Sequence, residues 1–148
     1  MHLPRDLSEF IRSLNSRSVE YLVVGGYALA FHGTPRFTGD IDFLVRPSAE
    51  NAARLERALA DFGFAALRLS AADFLEPGQM IQLGYPPNRI DLLTSLTGVD
   101  FDEAWGERVS GEIDGLPVQF IGRDALIKNK RAVGRPQDLA DLHALGVS

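Results

Sequence analysis

The chain has 148 residues and a net charge of −5 at pH 7, with 45% of the residues hydrophobic and 24% charged. This composition predicts one globular domain over residues 1–148 and disfavours non-specific binding of nucleic acid, which requires a cationic surface. The absence of cysteine excludes disulfides, zinc–thiolate sites and thiol catalysis. Because the sequence has neither a signal-peptide core nor an apolar run near the ~20 residues that span a bilayer, we expect a cytoplasmic protein without membrane contacts.

The N-terminal half alternates between segments of helical and of strand periodicity. Apolar residues at helical spacing indicate helices, short β-rich runs indicate strands, and glycine or proline marks several of their ends. In chain order, we predict a helix over about 4–16, a strand over 21–24, a helix over 26–33, a strand over 40–45 and a helix from 47 to about 61.

The C-terminal half has the pattern of two hairpins followed by two helices. A weak strand over 64–69 precedes strands over 80–84 and 89–93, which flank a turn at 85–88. Asp114 and Gly115 form a typical hairpin turn between strands over 109–113 and 118–121, and helices over 123–133 and 136–145 close the chain. We therefore predict an α+β fold, in which a mixed sheet carries helices packed mainly on one face.

Two carboxylates open the second predicted strand. Asp40 and Asp42 are two positions apart, so both side chains point to one face of the strand, whereas Ile41 and Phe43 point to the other. Adjacent like charges repel each other and require a compensating charge. A divalent cation is the simplest one, because Mg²⁺ and Mn²⁺ prefer oxygen ligands. The pair therefore favours metal-assisted phosphoryl chemistry, although an isolated pair of this kind also flanks strands that bind no metal.

A third carboxylate, Asp91, lies inside a later apolar strand. A charge in such a strand is costly unless it is paired or bound to a metal. If this strand lies beside the strand of Asp40 and Asp42, the three acids form a cluster that can hold one or two Mg²⁺ ions against a triphosphate. The structural alternative is that Asp91 is a buried partner of Arg89 or Arg36.

A double glycine ends the first strand at the point where the next helix begins. Glycine lets the backbone approach a phosphate closely, and the first turn of a helix offers N–H donors to an anion, so Gly25 and Gly26 are candidate phosphate ligands. Arg36 and Thr38 precede the acid pair and could add a guanidinium and a hydroxyl. The alternative is an ordinary turn, and the spacing to the downstream acids is what favours a phosphate site.

These motifs together carry a family resemblance over roughly residues 20–145. The double glycine, the acid pair that follows it after thirteen intervening residues, and an acid on a later strand resemble the nucleotidyltransferase superfamily of DNA polymerase β. More narrowly, the segment from Gly25 to Asp42 and the tail from Leu126 to Leu142 resemble the small prokaryotic nucleotidyltransferases related to the AbiEii toxins and the minimal nucleotidyltransferases.

The resemblance implies a role for each of these groups. Asp40, Asp42 and Asp91 would be the catalytic, metal-binding acids, and Gly25 and Gly26 would hold the nucleotide phosphates. A lysine of the tail, Lys128 or Lys130, would reach the triphosphate, although a solvated helix face is the alternative for either one. Asp138 and Asp141 are expected to pair with cations of the same segment. The chain departs from the commonest family pattern at Gly26, where serine is usual.

The resemblance also implies a reaction. A nucleoside monophosphate would pass from an NTP, with ATP as the expected nucleotide, to an acceptor hydroxyl of a protein, a tRNA or a small molecule, and pyrophosphate would be released. The setting would be a toxin–antitoxin or phage-defence system. The alternative is a weakly catalytic or non-catalytic binding module that neutralises a partner protein by contact, which the missing serine keeps open.

Overall fold

The computed structural model describes residues 5–34, 39–63, 69–84 and 89–147. The described chain contains six α-helices and six strands. The helices are α1 (Arg5–Ser16), α2 (Gly25–Phe31), α3 (Ala49–Phe62), α4 (Phe101–Gly106), α5 (Arg123–Val133) and α6 (Pro136–Ala144). The strands are β1 (Tyr21–Val24), β2 (Ile41–Val45), β3 (Met80–Leu83), β4 (Ile90–Leu93), β5 (Val109–Ile113) and β6 (Leu116–Phe120), and a short 3-10 helix covers Ala71–Phe74.

The six strands form one mixed sheet in the order β3-β4-β2-β1-β6-β5. Strands β2 and β4 run parallel, as do β1 and β6, whereas β1 pairs with β2 in antiparallel orientation. The two outer pairs, β3 with β4 and β5 with β6, are antiparallel hairpins. This arrangement confirms the predicted α+β fold with a mixed sheet and places β2, the strand that carries Asp42, in its interior.

Helices α1 and α3 cover one face of the sheet through aromatic contacts. The Phe10 ring lies 5.6 Å from the Phe43 ring of β2 and 5.4 Å from the Phe62 ring of α3, both edge to face. Tyr21 of β1 packs on Phe43 in the same manner. Because side chains alternate along a strand, Asp42 points to the opposite face, away from this core.

Most predicted elements are present with small shifts at their ends. Helix α2 begins at Gly25, one residue earlier than predicted, and the predicted hairpin turn is confirmed because Asp114 and Gly115 both have positive φ, 51° and 78°. Helix α4 and the 3-10 helix were not predicted. Residues 64–68 of the predicted weak strand and the turn at 85–88 lie outside the described residues. Within the described ranges, none of the helices is long and apolar enough to cross a membrane.

Candidate active site

Two of the three predicted acids lie side by side on neighbouring strands. Parallel pairing of β2 with β4 sets Asp42 directly opposite Asp91, and antiparallel pairing of β1 with β2 sets Val24, the last residue of β1, opposite Asp42 as well. Asp40 immediately precedes β2. The expectation that the strands of Asp42 and Asp91 are neighbours is therefore confirmed.

The Arg89 guanidinium connects Asp40 with Asp91. Its Nε and Nη2 atoms donate to the two carboxylate oxygens of Asp91 over 2.8 and 3.2 Å. Nη2 also lies 3.2 Å from Asp40 Oδ2, and the Arg89 backbone N–H donates to Asp40 Oδ1. The structural alternative for Asp91, an ion pair with Arg89, is thus realised, and Asp91 also lies beside Asp42.

The environment of Asp42 opposes its ionisation. The pKa of Asp42 is raised to about 7, chiefly by burial. The negative charges of Asp91 and Asp40 and a hydrogen bond with Asp91 raise this pKa further, whereas the positive charge of Arg89 lowers it. The negative charge of the Asp42–Asp91 pair is therefore only partly neutralised by the protein's own cations, because a single guanidinium serves two close carboxylates.

The turn between β1 and α2 fits closely over Asp42. Gly25 has a φ of 67°, and a Cβ at this position would overlap Asp42 Oδ2. Glycine is therefore required here both for its backbone conformation and for the space that it leaves. Val24, which caps α2, supplies no side-chain hydrogen bond to the first turn that Gly25 and Gly26 begin. The backbone of Gly25 thus borders Asp42.

A cleft of about 420 Å³ opens above Asp42. Gly25 and Asp42 lie on one side, Ser95, Leu96 and Thr97 of the loop after β4 on another, and α5 and α6 on the third. The buried Asn129 of α5 donates to the Thr97 carbonyl oxygen over 3.0 Å and so ties this loop to the helix.

Lys130 is the lysine that the fold brings into the cleft. It is 9% exposed, and its Nζ lies 3.3 Å from Asp138 Oδ1 and 3.0 Å from Asp141 Oδ2, both on α6. Arg135 Nε donates to Asp138 over 2.8 Å. The hydrogen bond from Arg135, with that from Lys130, lowers the pKa of Asp138 to about 2. The expected pairing of the two aspartates with local cations is therefore present.

The other predicted phosphate ligands lie elsewhere or cannot be placed. Lys128 points away from the cleft, where it pairs with Glu103 over 2.7 Å and lines a separate depression with Arg123 and Arg131. Arg36 and Thr38 fall outside the described residues. Arg135, which lines the cleft, and Arg89 were not predicted as site residues. The i, i+2 spacing of Arg89 and Asp91 on a strand is the signal that identifies Arg89 as a neighbour of the acids.

The acid pair has the chemistry of a divalent cation site. Among the described residues, no three His, Asp or Glu side chains already converge as a metal cage. The donor set nevertheless fits Mg²⁺ or Mn²⁺, because Asp42 and Asp91 present adjacent carboxylates whose negative charge Arg89 neutralises only in part.

The sequence profile of a known family matches residues 10–113, which include Gly25, Gly26 and all three acids. The profile is described as the nucleotidyl transferase AbiEii toxin of type IV toxin–antitoxin systems. The chain belongs to this family. It is accordingly a nucleotidyltransferase, and the resemblance drawn from the sequence is confirmed. The match ends before α5, so that Lys130 and its aspartate partners lie beyond the matched segment.

Solved structures share the fold of this AbiEii-family chain at low identity. The Thermotoga maritima protein TM1012, which carries a nucleotidyltransferase assignment, is 16% identical with a TM-score of 0.62, covering 94% of this chain and 89% of that one. ANT(2″)-Ia, solved with adenylyl-2″-tobramycin, is 16% identical with a TM-score of 0.58 and coverages of 94% and 84%. A nucleotidyltransferase-like protein of Paracoccidioides brasiliensis is 13% identical with a TM-score of 0.53 and coverages of 95% and 72%. The comparison with curated protein sequences found no match.

Proposed function

We propose that the chain transfers a nucleoside monophosphate from ATP to an acceptor hydroxyl, in a reaction that depends on Mg²⁺ or Mn²⁺ and releases pyrophosphate. The observation that carries this proposal is the register of β2 and β4, which sets Asp42 opposite Asp91 at a cleft that Gly25 and Lys130 also line. Membership of a nucleotidyltransferase family supports the same reaction class.

Each group in the cleft has a role in this scheme. Asp40, Asp42 and Asp91 hold the metal, which supplies neutralisation of triphosphate charge and polarisation of the acceptor oxygen when it is bound. The backbone N–H groups of Gly25 and Gly26 bind phosphate oxygens, because the turn leaves no side chain between them and the acids. Lys130 adds a fixed ammonium donor, whose orientation Asp138 and Asp141 maintain.

The transfer forms one bond and breaks one. The acceptor oxygen bonds to the α-phosphorus, the bond between the α-phosphorus and the bridging oxygen breaks, and pyrophosphate leaves with that oxygen. The acceptor hydroxyl loses its proton, and Asp91 is the carboxylate that we assign to accept it, because it lies directly opposite Asp42 on the neighbouring strand. Arg36 and Thr38 remain candidate contacts to the nucleotide outside this core set.

The proposed acceptor is a hydroxyl on a cellular protein or a tRNA, within a toxin–antitoxin system. The family description supports that setting. The bound product named for ANT(2″)-Ia, an adenylyl-tobramycin, supports including small-molecule hydroxyls among the acceptors to be tested.

A binding module is the second candidate function. Two observations favour it: Gly26 stands where serine is usual in such proteins, and the Arg89 guanidinium already pairs with Asp40 and Asp91. In that case the chain would bind a partner protein and transfer nothing.

Labelled ATP distinguishes the two functions. The chain is incubated with Mn²⁺ and ATP labelled at either the α- or the γ-phosphate, with total tRNA, cell protein and hydroxylated small molecules as separate acceptors. We expect label to transfer from the α position only, and Asp40→Ala combined with Asp42→Ala to lower the rate by a factor on the order of 10³ or more. Transfer of the γ label, or transfer that survives in the double variant, contradicts the proposal.

The control variant is Asp61→Ala. Asp61 forms a bidentate pair with Arg17 between α3 and α1, on the surface away from the cleft. The Asp61→Ala variant removes a carboxylate from an arginine pair, as Asp40→Ala does, but it should leave transfer unchanged. If no acceptor is labelled and no NTP with metal raises the melting temperature, the binding module becomes the better account.

A further inference from the structure

We propose that Arg89 is a built-in counter-ion that competes with the divalent metal for the acid cluster and passes to the nucleotide phosphates when the metal binds. This inference rests on the proposed function, because it concerns the same metal and nucleotide. It adds a substrate-binding residue that neither the family match nor the sequence motifs assign.

The first step is the set of contacts that Arg89 makes. Both carboxylate oxygens of Asp91 accept an N–H from its guanidinium, over 2.8 and 3.2 Å, and the same Nη2 lies 3.2 Å from Asp40. A planar guanidinium suits this bidentate geometry. The Asp91 side chain is 8% exposed, so few water molecules compete for its oxygens. A metal that binds Asp91 therefore displaces or crowds Arg89 rather than water alone.

The second step is electrostatic. A divalent cation at Asp42 and Asp91 would stand close to the guanidinium, and two cations at short range repel each other, more strongly where they are partly buried than in bulk water. Metal binding in the presence of Arg89 thus loses part of the attraction that the carboxylates supply. Neutralising residue 89 removes this opposition and should tighten metal binding.

The third step concerns the group that the Arg89 guanidinium contacts after the metal has displaced it from Asp91. The Arg89 side chain is only 26% exposed, and beyond Asp40 and Asp91 the structure provides no acid in contact with it among the described residues. A triphosphate brought in with the metal is an anion with the planar oxygen pairs that arginine binds best. Arg89 then contacts nucleotide instead of carboxylate, which makes metal binding and nucleotide binding mutually favourable.

Calorimetric titration of the full chain with MnCl₂, without nucleotide, tests the competition. We expect Arg89→Gln to bind Mn²⁺ more tightly than the wild type by a factor on the order of ten. The wild type must break the hydrogen-bonded charge pairs of Arg89 when the metal enters, whereas the variant has no such pairs to break. Arg89→Lys keeps the charge but reaches one carboxylate at a time, so its affinity should lie between the two. The matched control is Arg17→Gln, which breaks the bidentate pair with Asp61 and should leave Mn²⁺ affinity unchanged.

A second titration tests the transfer to phosphate. With Mn²⁺ at saturation, Arg89→Gln should bind a non-hydrolysable ATP analogue several-fold more weakly than the wild type. Opposite effects on metal and nucleotide are the signature of the proposed role, since a merely structural role for Arg89 would weaken both. The Arg89→Lys variant conserves the charge and provides a second measurement if the glutamine variant does not fold.

The outcomes separate this inference from the proposed function. If the wild type binds Mn²⁺ and both Arg89 variants bind it equally or more weakly, the counter-ion role is overturned while the metal site stands. If Mn²⁺ binds more tightly but nucleotide affinity is unchanged, the passage to phosphate is overturned. If neither wild type nor variants bind Mn²⁺, or if binding survives Asp42→Asn, the proposed metal site itself fails.

Discussion

Asp42 and Asp91 occupy the same register position on parallel neighbours β2 and β4, and a hydrogen bond joins their carboxyl groups. Burial and the charges of Asp91 and Asp40 hold the pKa of Asp42 at about 7, above its usual value of 3.8. A site that disfavours its own ionisation in the absence of a cation is prepared to bind one, because a divalent metal makes the ionised form favourable.

The first prediction is that Asp42 destabilises the metal-free protein at alkaline pH. Because the folded-state pKa is raised, the stability contributed by the protonated form is complete below about pH 3.8 and is lost as the pH rises through about 7. Asp42→Asn cannot ionise, so in EDTA at pH 8 its melting temperature should exceed that of the wild type by about 2–5 °C.

The measurement is a melting curve at pH 5 to 8.5 with EDTA and again with Mg²⁺. The gain of Asp42→Asn should grow with pH, and Mg²⁺ should raise the melting temperature of the wild type alone. Asp61→Asn, which removes an exposed paired carboxylate, should show no such gain. Parallel curves for wild type and Asp42→Asn over this pH range would contradict the prediction.

The second prediction concerns Gly25, whose missing side chain makes room for Asp42. Gly25→Ala adds a Cβ that overlaps Asp42 Oδ2 and strains a backbone with φ of 67°. We expect a loss of about 1–3 kcal/mol in the free energy of unfolding, together with loss of the Mg²⁺-induced thermal shift. The measurement is urea unfolding with and without Mg²⁺.

Gly115→Ala is the matched control for Gly25→Ala. Gly115 has a φ of 78°, but nothing lies within 4 Å of the position of its Cβ. It should therefore show the backbone strain without the displacement of Asp42, and retain the response to Mg²⁺. An equal response to Mg²⁺ in both variants would show that the Gly25 turn does not control the position of Asp42.

The third prediction separates the two tail lysines. Lys130→Met leaves Asp138 and Asp141 buried without their ammonium and should lower the free energy of unfolding by about 3 kcal/mol. Lys128→Met removes an exposed pair with Glu103, and the change should be below about 1 kcal/mol. We expect only Lys130→Met to weaken binding of MgATP, as measured by titration well below the melting temperature. Weaker MgATP binding in Lys128→Met than in Lys130→Met would reverse this assignment.

The sequence predicts β1, the glycine turn, β2 and β4 because the pattern of each lies within a few consecutive residues, whereas the pairing of β2 with β4 joins segments that are distant in the sequence. Strand periodicity fixes which side chains share a face, and an acid in an apolar strand needs a nearby partner. The choice between Lys128 and Lys130 depends on which face of α5 each lysine occupies, because the two are separated by two positions on the same helix. Lys130 lies four residues after the buried Leu126, which places it on the inner face and Lys128 on the outer one.

The parts that could not be predicted depend on tertiary contacts. Helix α4 has only six residues and buries only Phe101 and Ala104, too few to produce a helical period in the sequence. Arg135 follows Gly134 in the break between two helices, and although its pairing with Asp138 three positions later is local, nothing local indicates that this pair borders the cleft. The proximity of α5 to Asp42 follows from the packing of α5 beside the sheet, which no local pattern encodes.

The fourth prediction concerns acid stability and Asp138. Arg135 and then Lys130 lower the folded-state pKa of Asp138 to about 2 from 3.8, so the stability of this pairing is present above about pH 3.8 and is lost as the pH falls through about 2. The contribution is on the order of 2 kcal/mol.

Urea unfolding at pH 6 and at pH 2 measures this contribution. Asp138→Asn should be less stable than the wild type at pH 6, and the difference should diminish at pH 2. A difference that is the same at both pH values would exclude the ionised Asp138 as its source. Asp73→Asn provides an exposed aspartate for comparison, since its carboxylate accepts the Ser70 N–H that caps the short 3-10 helix.

The most direct test of the metal-bearing acid pair is anomalous diffraction from crystals grown with Mn²⁺ and a non-hydrolysable ATP analogue. We predict an anomalous peak at a coordination distance of about 2.1 Å from carboxylate oxygens of Asp42 and Asp91, with the triphosphate in the cleft beside Gly25 and Lys130. An analogue bound in the cleft with no anomalous peak at these two carboxylates, or with a peak elsewhere, would contradict the account.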